Sequence, residues 1–157
     1  MGAFAGESQA NRRYLAFAQK ADEEGFEQVA KLFRAAAAAE TVHALNHLRV
    51  AGEVKSTADN LKAAIGGETF EFTKMYPDYI NQANKEGNKK AVYTFDLANK
   101  VEQVHAGLFK KAVENLNSDA PLVDYYVCDT CGNTVEGSPP DRCPICGAPR
   151  AGFKKVE

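Results

Sequence analysis

Apolar residues recur at three- and four-residue intervals along the first 117 residues, which is the pattern of amphipathic helices. Strong helix formers are abundant there, and Pro77 is the only proline in that region. Gly25, Gly52 and Gly87 each occupy a place where a left-handed C-terminal cap would end a helix, and Thr57 is a suitable N-cap for a helix beginning at Ala58. The pattern predicts four helices, at about residues 3–24, 26–51, 58–86 and 89–116.

The helical region contains an internal repeat. Glu24-Gly25 recurs as Glu86-Gly87, and Glu40-x-x-His43 recurs as Glu102-x-x-His105, both displaced by 62 residues. The repeat therefore predicts that the four helices form two copies of one helical hairpin.

The repeat is interrupted within the third helix. The same displacement carries Tyr14 onto Tyr76, but it carries Glu7 onto Thr69, one residue past Glu68. This offset predicts a one-residue irregularity between Glu68 and Tyr76, of the kind that a π-bulge absorbs.

Acidic and imidazole side chains interrupt apolar helix faces. The face of the second helix is apolar at Phe26, Val29, Ala30, Phe33, Ala36 and Ala37 and then carries Glu40 and His43, and the fourth helix carries Glu102 and His105 in the same way. Glu7 shares a face with Tyr14, and Glu68 and Glu71 share one with Met75. We expect these five carboxylates and two imidazoles to converge on one core.

Such a core is unfavourable unless a cation occupies it. Each unpaired buried carboxylate costs several kcal/mol, and these faces carry no matching set of Lys or Arg. Carboxylate oxygens with one imidazole per metal suit iron or manganese, and Glu-x-x-His places both donors one helical turn apart. A single such motif is often an accident of a solvated face, whereas two in register within a repeat predict two metal ions.

The chain changes character near residue 118. A linker at 118–123 separates a predicted helical domain, 1–117, from a small domain, 124–157, that is rich in Cys, Gly and Pro. The four cysteines form two Cys-x-x-Cys pairs, Cys128 with Cys131 and Cys143 with Cys146, which in a chain without a signal segment indicates a metal site. Four thiolates suit structural zinc and mononuclear iron alike.

Charge and hydropathy narrow the classes of partner. A formal net charge of −2 with interspersed signs predicts no binding to nucleic acid or to an anionic membrane. No apolar run approaches the ~20 residues that span a bilayer, and the N-terminus lacks a basic region followed by an apolar run. We expect a cytoplasmic location.

The motifs together resemble those of rubrerythrin over nearly the whole chain. The residues that carry the resemblance are Glu7, Glu40-x-x-His43, Gly67-Glu68-x-x-Glu71, Glu102-x-x-His105, Cys128-x-x-Cys131-Gly132 and Cys143-Pro144-x-Cys146-Gly147. The resemblance implies a mainly α fold, with a ferritin-like four-helix bundle that holds a di-iron site, followed by a rubredoxin-like β/loop domain that holds one iron.

The resemblance also implies residue roles. Glu40 and Glu102 would bridge the irons, Glu7 would bind one iron, and Glu68 and His105 would bind the other. The first iron would exchange Glu71, when oxidised, for His43, when reduced. Tyr14 and Tyr76 would hydrogen-bond to the ligands, although packing explains them equally well, and we expect His47 to be a hydrogen-bonded core or rim residue and not a ligand.

The implied function is the reduction of hydrogen peroxide to water. A di-iron site holds the two electrons that this reaction needs, and the thiolate iron supplies them singly. Because no nicotinamide-binding fingerprint is present, the electrons would come from a separate rubredoxin or NAD(P)H-rubredoxin oxidoreductase. The alternatives are ferritin-like iron oxidation and storage, and a zinc-ribbon interaction module on a helical scaffold.

Chain length between the hairpins bears on assembly. In the family's bundle the second and third helices run parallel, so the chain must return along helices that are roughly 37 Å long at ~1.5 Å per residue. The connection from Gly52 to Thr57 spans at most ~20 Å. We therefore expect a homodimer that exchanges hairpins, the alternative being an up-down-up-down monomer.

Overall fold

A computed structural model of the chain describes residues 1–119 and 121–157. These residues divide into two compact units, Met1–Lys55 and Ser56–Glu157. Ala120, which falls in the predicted linker at 118–123, lies outside the described residues. Within the described ranges, no helix combines the length and the apolar character that crossing a membrane requires.

The first unit is an antiparallel helical hairpin of α1 (Gly2–Glu23) and α2 (Glu27–Val50). The residues buried between the two helices are all small: Ala18, Ala21, Ala30, Ala37 and Ala44. Alanine lets two helix backbones approach closely, and an ion pair of 2.7 Å between Arg34 and Asp22 closes the turn end of the hairpin.

The second unit begins with a helical stretch that packs on α5 (Lys89–Glu114). This stretch consists of α3 (Thr57–Phe70), a π-helical segment (Glu71–Met75) and α4 (Tyr76–Lys85). Its core is formed by Ala83, Leu97, Val101 and Ala106.

The π-helical segment confirms the irregularity that the repeat predicted. It lies between Glu68 and Tyr76, where the displacement of 62 residues fails by one position. A π turn accommodates one additional residue without ending the helix, so the side chains on either side keep the same face.

The helix ends follow the predicted glycines. Gly25, Gly52 and Gly87 have positive φ angles of 81°, 73° and 69°. At Gly25 the next amide, of Phe26, donates to the Ala21 carbonyl at 2.8 Å, and equivalent bonds close the other two ends. The prediction of Thr57 as N-cap was wrong, because Ser56 holds the extended conformation and its hydroxyl accepts the Asp59 amide at 3.2 Å.

The apolar face predicted on the second helix is only partly buried. Phe26 is 59% exposed and Val29 is 44% exposed. Phe26 is the N-cap residue of α2, and the positions that α1 covers are Ala30, Ala37 and Ala44. In the single chain, α1 therefore leaves Phe26 and Val29 exposed.

The C-terminal part of the second unit is a small antiparallel sheet around four cysteines. The strand order is β2-β1-β3, with β1 at Tyr125–Cys128, β2 at Thr134–Glu136 and β3 at Phe153–Lys155. Cys128, Cys143 and Phe153 form its core. A three-residue 3₁₀ turn, Arg150–Gly152, leads into β3.

Candidate metal centres

The first group of candidate ligands lies on the α1–α2 hairpin. Glu7 comes from α1, Glu40 and His43 come from α2, and their ligand atoms lie within 4.8 Å of one another. His43 Nδ1 is 3.0 Å from Glu40 Oε2. The Glu40 side chain is 18% exposed and that of His43 is 56% exposed, so this group opens at the surface of the unit.

An amide side chain fixes the register of this hairpin beside the ligands. Asn11 Nδ2, one turn after Glu7, donates to the Ala37 carbonyl at 2.7 Å and to Thr41 Oγ1 at 2.8 Å. Thr41 follows Glu40 directly. These two hydrogen bonds therefore fix the register of α1 and α2 at the level of Glu7 and Glu40.

The second group lies on α3 and α5. Glu68, Glu102 and His105 bring their ligand atoms within 4.8 Å of one another. His105 Nδ1 is 2.8 Å from Glu102 Oε2 and 3.7 Å from Glu68 Oε2. All three side chains are partly shielded, with exposed fractions of 27% for His105, 22% for Glu68 and 14% for Glu102.

Burial and mutual repulsion raise the pKa values of the acidic groups on this side. Burial raises the pKa of Glu68, and hydrogen bonding and charge from Glu102 raise it further, against a smaller opposite effect of His105. Burial and then the charge of Glu68 raise the pKa of Glu71. A divalent cation among these carboxylates would relieve both effects, so the donor set fits a metal.

The two predicted tyrosines have different surroundings. Tyr14 packs against Phe33 with ring centroids 6.1 Å apart, which agrees with the packing interpretation. Tyr76 packs against Phe95 at 6.2 Å and also lies among acidic groups, because burial and then the charges of Glu102, Glu71 and Glu68 raise its pKa.

Glu71 and His47 lie outside the two groups. Glu71 begins the π-helical segment, half-buried and near Glu68. His47 is exposed in the last turn of α2, so of the two expected places, core or rim, the structure agrees with the rim. Convergence of all seven predicted residues on one core stays a prediction.

The four cysteine sulfurs form the third group, with all ligand atoms within 4.8 Å of one another. Cys128 Sγ is 3.7 Å from Cys146 Sγ, and Cys131 Sγ is 3.6 Å from Cys143 Sγ. These separations exceed the ~2.05 Å of a disulfide. They approach the spacing of about 3.8 Å that tetrahedral metal–sulfur bonds of ~2.3 Å impose.

Two similar turns present these sulfurs. Gly132 and Gly147, with φ angles of 83° and 79°, donate their amides to the carbonyls of Cys128 and Cys143 at 2.8 and 2.9 Å. Burial raises the pKa of the Cys143 thiol, but hydrogen bonds from the backbone amides of Cys146 and Ile145, together with those from the Cys131 and Cys146 side chains, lower it to about 7 overall. Burial raises the pKa of Cys131. The turns therefore favour the thiolate form of Cys143. A bound metal cation would stabilise the thiolate form of the other cysteines.

One contact at the second group was not predicted from the sequence. Thr134 Oγ1, on β2, is 3.0 Å from His105 Nε2. A lone hydroxyl that lies 29 residues from its partner leaves no periodic signal in a sequence. The hydrogen bond between Asn11 and Thr41 was not predicted either, because it joins two helices. Asn11 itself lies on the same face of α1 as Glu7.

Comparisons with known proteins agree with this arrangement. Residues 1–113 match the rubrerythrin family, and residues 126–154 match the rubredoxin-like domain of rubrerythrin. Nigerythrin of Nitratidesulfovibrio vulgaris is 40% identical over 166 residues, covering 96% of this chain and 81% of that protein. Rubrerythrin-2 of Clostridium acetobutylicum is 35% identical over 168 residues, covering 97% of this chain and 91% of that protein.

Solved structures of nigerythrin are also similar. Its mixed-valence state aligns with a TM-score of 0.63 at 36% identity, and its fully reduced, all-ferrous state with a TM-score of 0.64 at 34% identity. Each alignment covers 99% of this chain and 83% of the nigerythrin chain. With carboxylate–imidazole groups for a di-metal site and a four-cysteine site in one sequence, this chain belongs to the rubrerythrin family.

Proposed function

We propose that this chain reduces hydrogen peroxide to water at a di-iron site, with electrons delivered through a four-cysteine iron site. The observation that carries the proposal is the presence of both kinds of donor set in one chain: two carboxylate–imidazole groups and four clustered thiols. A storage protein needs no thiolate site, and an interaction module needs no paired carboxylate groups.

The proposal assigns ligands as well as an activity. Residues 1–117 would supply the di-iron ligands and residues 124–157 the thiolate ligands. The di-iron ligands are Glu7, Glu40, His43, Glu68, Glu71, Glu102 and His105, and the ligands of the single iron are Cys128, Cys131, Cys143 and Cys146. The choice of iron is supported by nigerythrin, whose reduced structure is described as all ferrous.

Iron held at the paired site would supply the two electrons that convert hydrogen peroxide and two protons into two molecules of water. The chain's own residues shape the place where this happens. Glu102 and Glu68 keep carboxylate oxygens beside His105 on a partly shielded helix face. Tyr76 lies among these carboxylates and packs against Phe95, and we propose that its hydroxyl orients a ligand or a small substrate.

The external electron donor is a separate protein. We propose a rubredoxin or an NAD(P)H-rubredoxin oxidoreductase, because each passes electrons singly and a four-thiolate iron accepts one at a time. The turns at Gly132 and Gly147 leave Cys131 and Cys146 partly exposed, which supports electron entry at this end of the chain.

Substitution of a bridging carboxylate tests the activity. In iron-loaded protein supplied with reductase and NAD(P)H, Glu102→Ala and Glu40→Ala should each abolish peroxide consumption, because each removes a carboxylate proposed to hold the irons. The visible spectrum of the thiolate iron should stay unchanged, which controls for folding of the small domain. Undiminished turnover in either variant would remove the di-iron mechanism.

We also propose that two chains exchange hairpins. Residues 51–56 connect α2 to α3 and span at most ~20 Å, whereas α2 has 24 residues and is ~36 Å long. A two-fold bundle within one chain would need the connection to run back along that length. Exchange removes this requirement, and every di-iron site would then take Glu7, Glu40 and His43 from one chain and its other ligands from the partner.

Mixed dimers test the exchange. A Glu40→Ala chain and a Glu102→Ala chain are each expected to be inactive, but an exchanged heterodimer would contain one site with both lesions and one with neither. Isolated heterodimers should therefore recover up to about half of the wild-type activity. Absence of recovery, or a fully iron-loaded active monomer, would rule out exchange.

A further inference from the structure

The two ends of the α1–α2 hairpin are held together differently. At the turn end, Arg34 forms an ion pair with Asp22, and Phe17 meets Phe33 edge-on with ring centroids 5.5 Å apart. The open half carries the candidate metal ligands, and the residues buried there are small: Ala37 and Ala44. Methyl side chains form only shallow ridges, so this half needs another contact to fix how its helices align.

Asn11 provides that contact. Its Nδ2 carries two hydrogens, of which one is donated to the Ala37 carbonyl at 2.7 Å and the other to Thr41 Oγ1 at 2.8 Å. The Thr41 hydroxyl donates to the same carbonyl at 3.1 Å, so the three groups are bonded to one another. Ala37 is 1% exposed, and water therefore competes poorly for its carbonyl.

One candidate ligand depends on this alignment more than the others. Glu40 and His43 are one turn apart on α2, so the helix itself sets the 3.0 Å between His43 Nδ1 and Glu40 Oε2. Glu7 comes from α1, and a slip of that helix by one residue would move it by ~1.5 Å and rotate it by ~100°. Asn11 lies one turn after Glu7, so its hydrogen bonds oppose this slip close to the ligand.

The second hairpin differs at the corresponding positions. The displacement of 62 residues carries Asn11 onto Thr73 and Thr41 onto Gln103. The Thr73 hydroxyl donates to the Thr69 carbonyl of its own helical stretch at 2.6 Å. The amide that joins the helices is therefore a feature of the first hairpin and was not copied with the repeat.

We propose that Asn11 is the positioning residue of the first metal group: with Thr41 it holds Glu7 beside Glu40 and His43, and this alignment sets the affinity of the group for a divalent cation. The inference rests on the proposed function, which assigns these three residues as ligands. Both helices belong to one chain, so the role of Asn11 is the same with or without exchange of hairpins.

Zinc binding measures the two metal groups separately. The chain contains three histidines: His43 in the first group, His105 in the second, and His47. Isotope labelling of the histidines in the full-length protein gives an NMR signal for each, and zinc is added beyond the amount that the four cysteines bind. In Asn11→Leu, half-saturation of the His43 signal should require on the order of tenfold more zinc, with a much smaller change at His105.

Thr41 provides a second pair of variants with a matched control. Thr41→Val removes the hydroxyl at similar volume and should weaken zinc binding at His43, whereas Thr41→Ser keeps the hydroxyl and should restore it. Thr94 likewise donates to the carbonyl four residues earlier, of Lys90, at 2.9 Å, but on the exposed side of α5. Thr94→Val should therefore leave zinc binding at both groups unchanged.

A double-mutant cycle distinguishes positioning from general support of the hairpin. If Asn11 acts through Glu7, then in a Glu7→Gln background Asn11→Leu should change zinc affinity at His43 by less than about twofold, because the ligand that it aligns is already lost. Equal losses with and without Glu7 would show that Asn11 supports the helix pair as a whole, and this result would overturn the inference.

The wild-type titration separates this inference from the proposed function. Absence of zinc at His43 in wild-type protein would contradict the ligand assignment itself. Zinc at His43 in wild type, with unchanged affinity in Asn11→Leu and Thr41→Val, would contradict only the role of Asn11. Circular dichroism checks that each variant keeps its helices, and if Asn11→Leu does not fold, the comparison of Thr41→Val with Thr41→Ser decides the outcome.

Discussion

Glu71 differs from the other predicted ligands in its position. It begins the π-helical segment and lies near Glu68, but it does not share the 4.8 Å cluster of Glu68, Glu102 and His105. The exchange between Glu71 and His43 that the family implies stays a proposal.

Glu71→Ala should therefore separate metal binding from cycling. We expect the variant to retain both irons of the di-iron site and to turn over peroxide on the order of tenfold more slowly, because only the exchanging ligand is lost. Iron quantitation and steady-state assays measure the two properties. Glu68→Ala is the matched comparison and should lose iron, and loss of iron in Glu71→Ala as well would make Glu71 an ordinary ligand.

At the residue scale, the sequence predicted the clustered donors through their periodicity. Glu40 with His43 and Glu102 with His105 stand one helical turn apart, so helix geometry alone brings each pair together. Asn11 and Thr134 act across elements, and their partners depend on how those elements pack. That packing leaves no local pattern, so their roles required the structure.

The helix-ending glycines allow a prediction at the scale of the element. Gly87 has a φ of 69°, so Gly87→Ala should destabilise the protein by about 1 kcal/mol. Gly107 is exposed within α5, and an added methyl group would meet nothing within 4 Å. Gly107→Ala should stabilise the helix by about 1 kcal/mol, because alanine has the higher helix propensity.

Thermal unfolding of the metal-loaded variants measures both effects. The unfolding midpoint should fall by about 2–4 °C in Gly87→Ala and rise by a similar amount in Gly107→Ala. If both unfolding midpoints shift in the same direction, the structural role assigned to one of the two glycines is wrong.

The elements were predicted to within a few residues because their ends are set by local chemistry. Glycine caps and amphipathic periodicity are both visible in the sequence. The one-residue offset in the internal repeat indicated where the π-helical segment lies. Ser56 and Thr57 are adjacent and both can cap, so the choice between them was decided by backbone conformation. The alignment of β2 with α5 depends on a long-range contact that no local pattern records.

At the scale of the whole molecule, the two compact units each carry one carboxylate–imidazole group, and the second also carries the four cysteines. The internal repeat predicted one Glu-x-x-His motif for each helical hairpin, and the division into domains 1–117 and 124–157 stays a prediction. The family assignment follows from nearly the full length of the chain. The activity remains the central proposal, and it requires that the four-cysteine iron supply electrons to the di-iron site at which peroxide is reduced.

Anaerobic addition of hydrogen peroxide to dithionite-reduced, iron-loaded full-length protein tests that proposal most directly. Residual peroxide, released dioxygen and the absorption of thiolate-bound ferric iron are followed together. We expect one peroxide to be reduced per di-iron site, followed by appearance of the thiolate–ferric band as the single iron supplies further electrons, with no dioxygen released. Peroxide that persists beside reduced protein, or that disappears with release of dioxygen, would contradict the account.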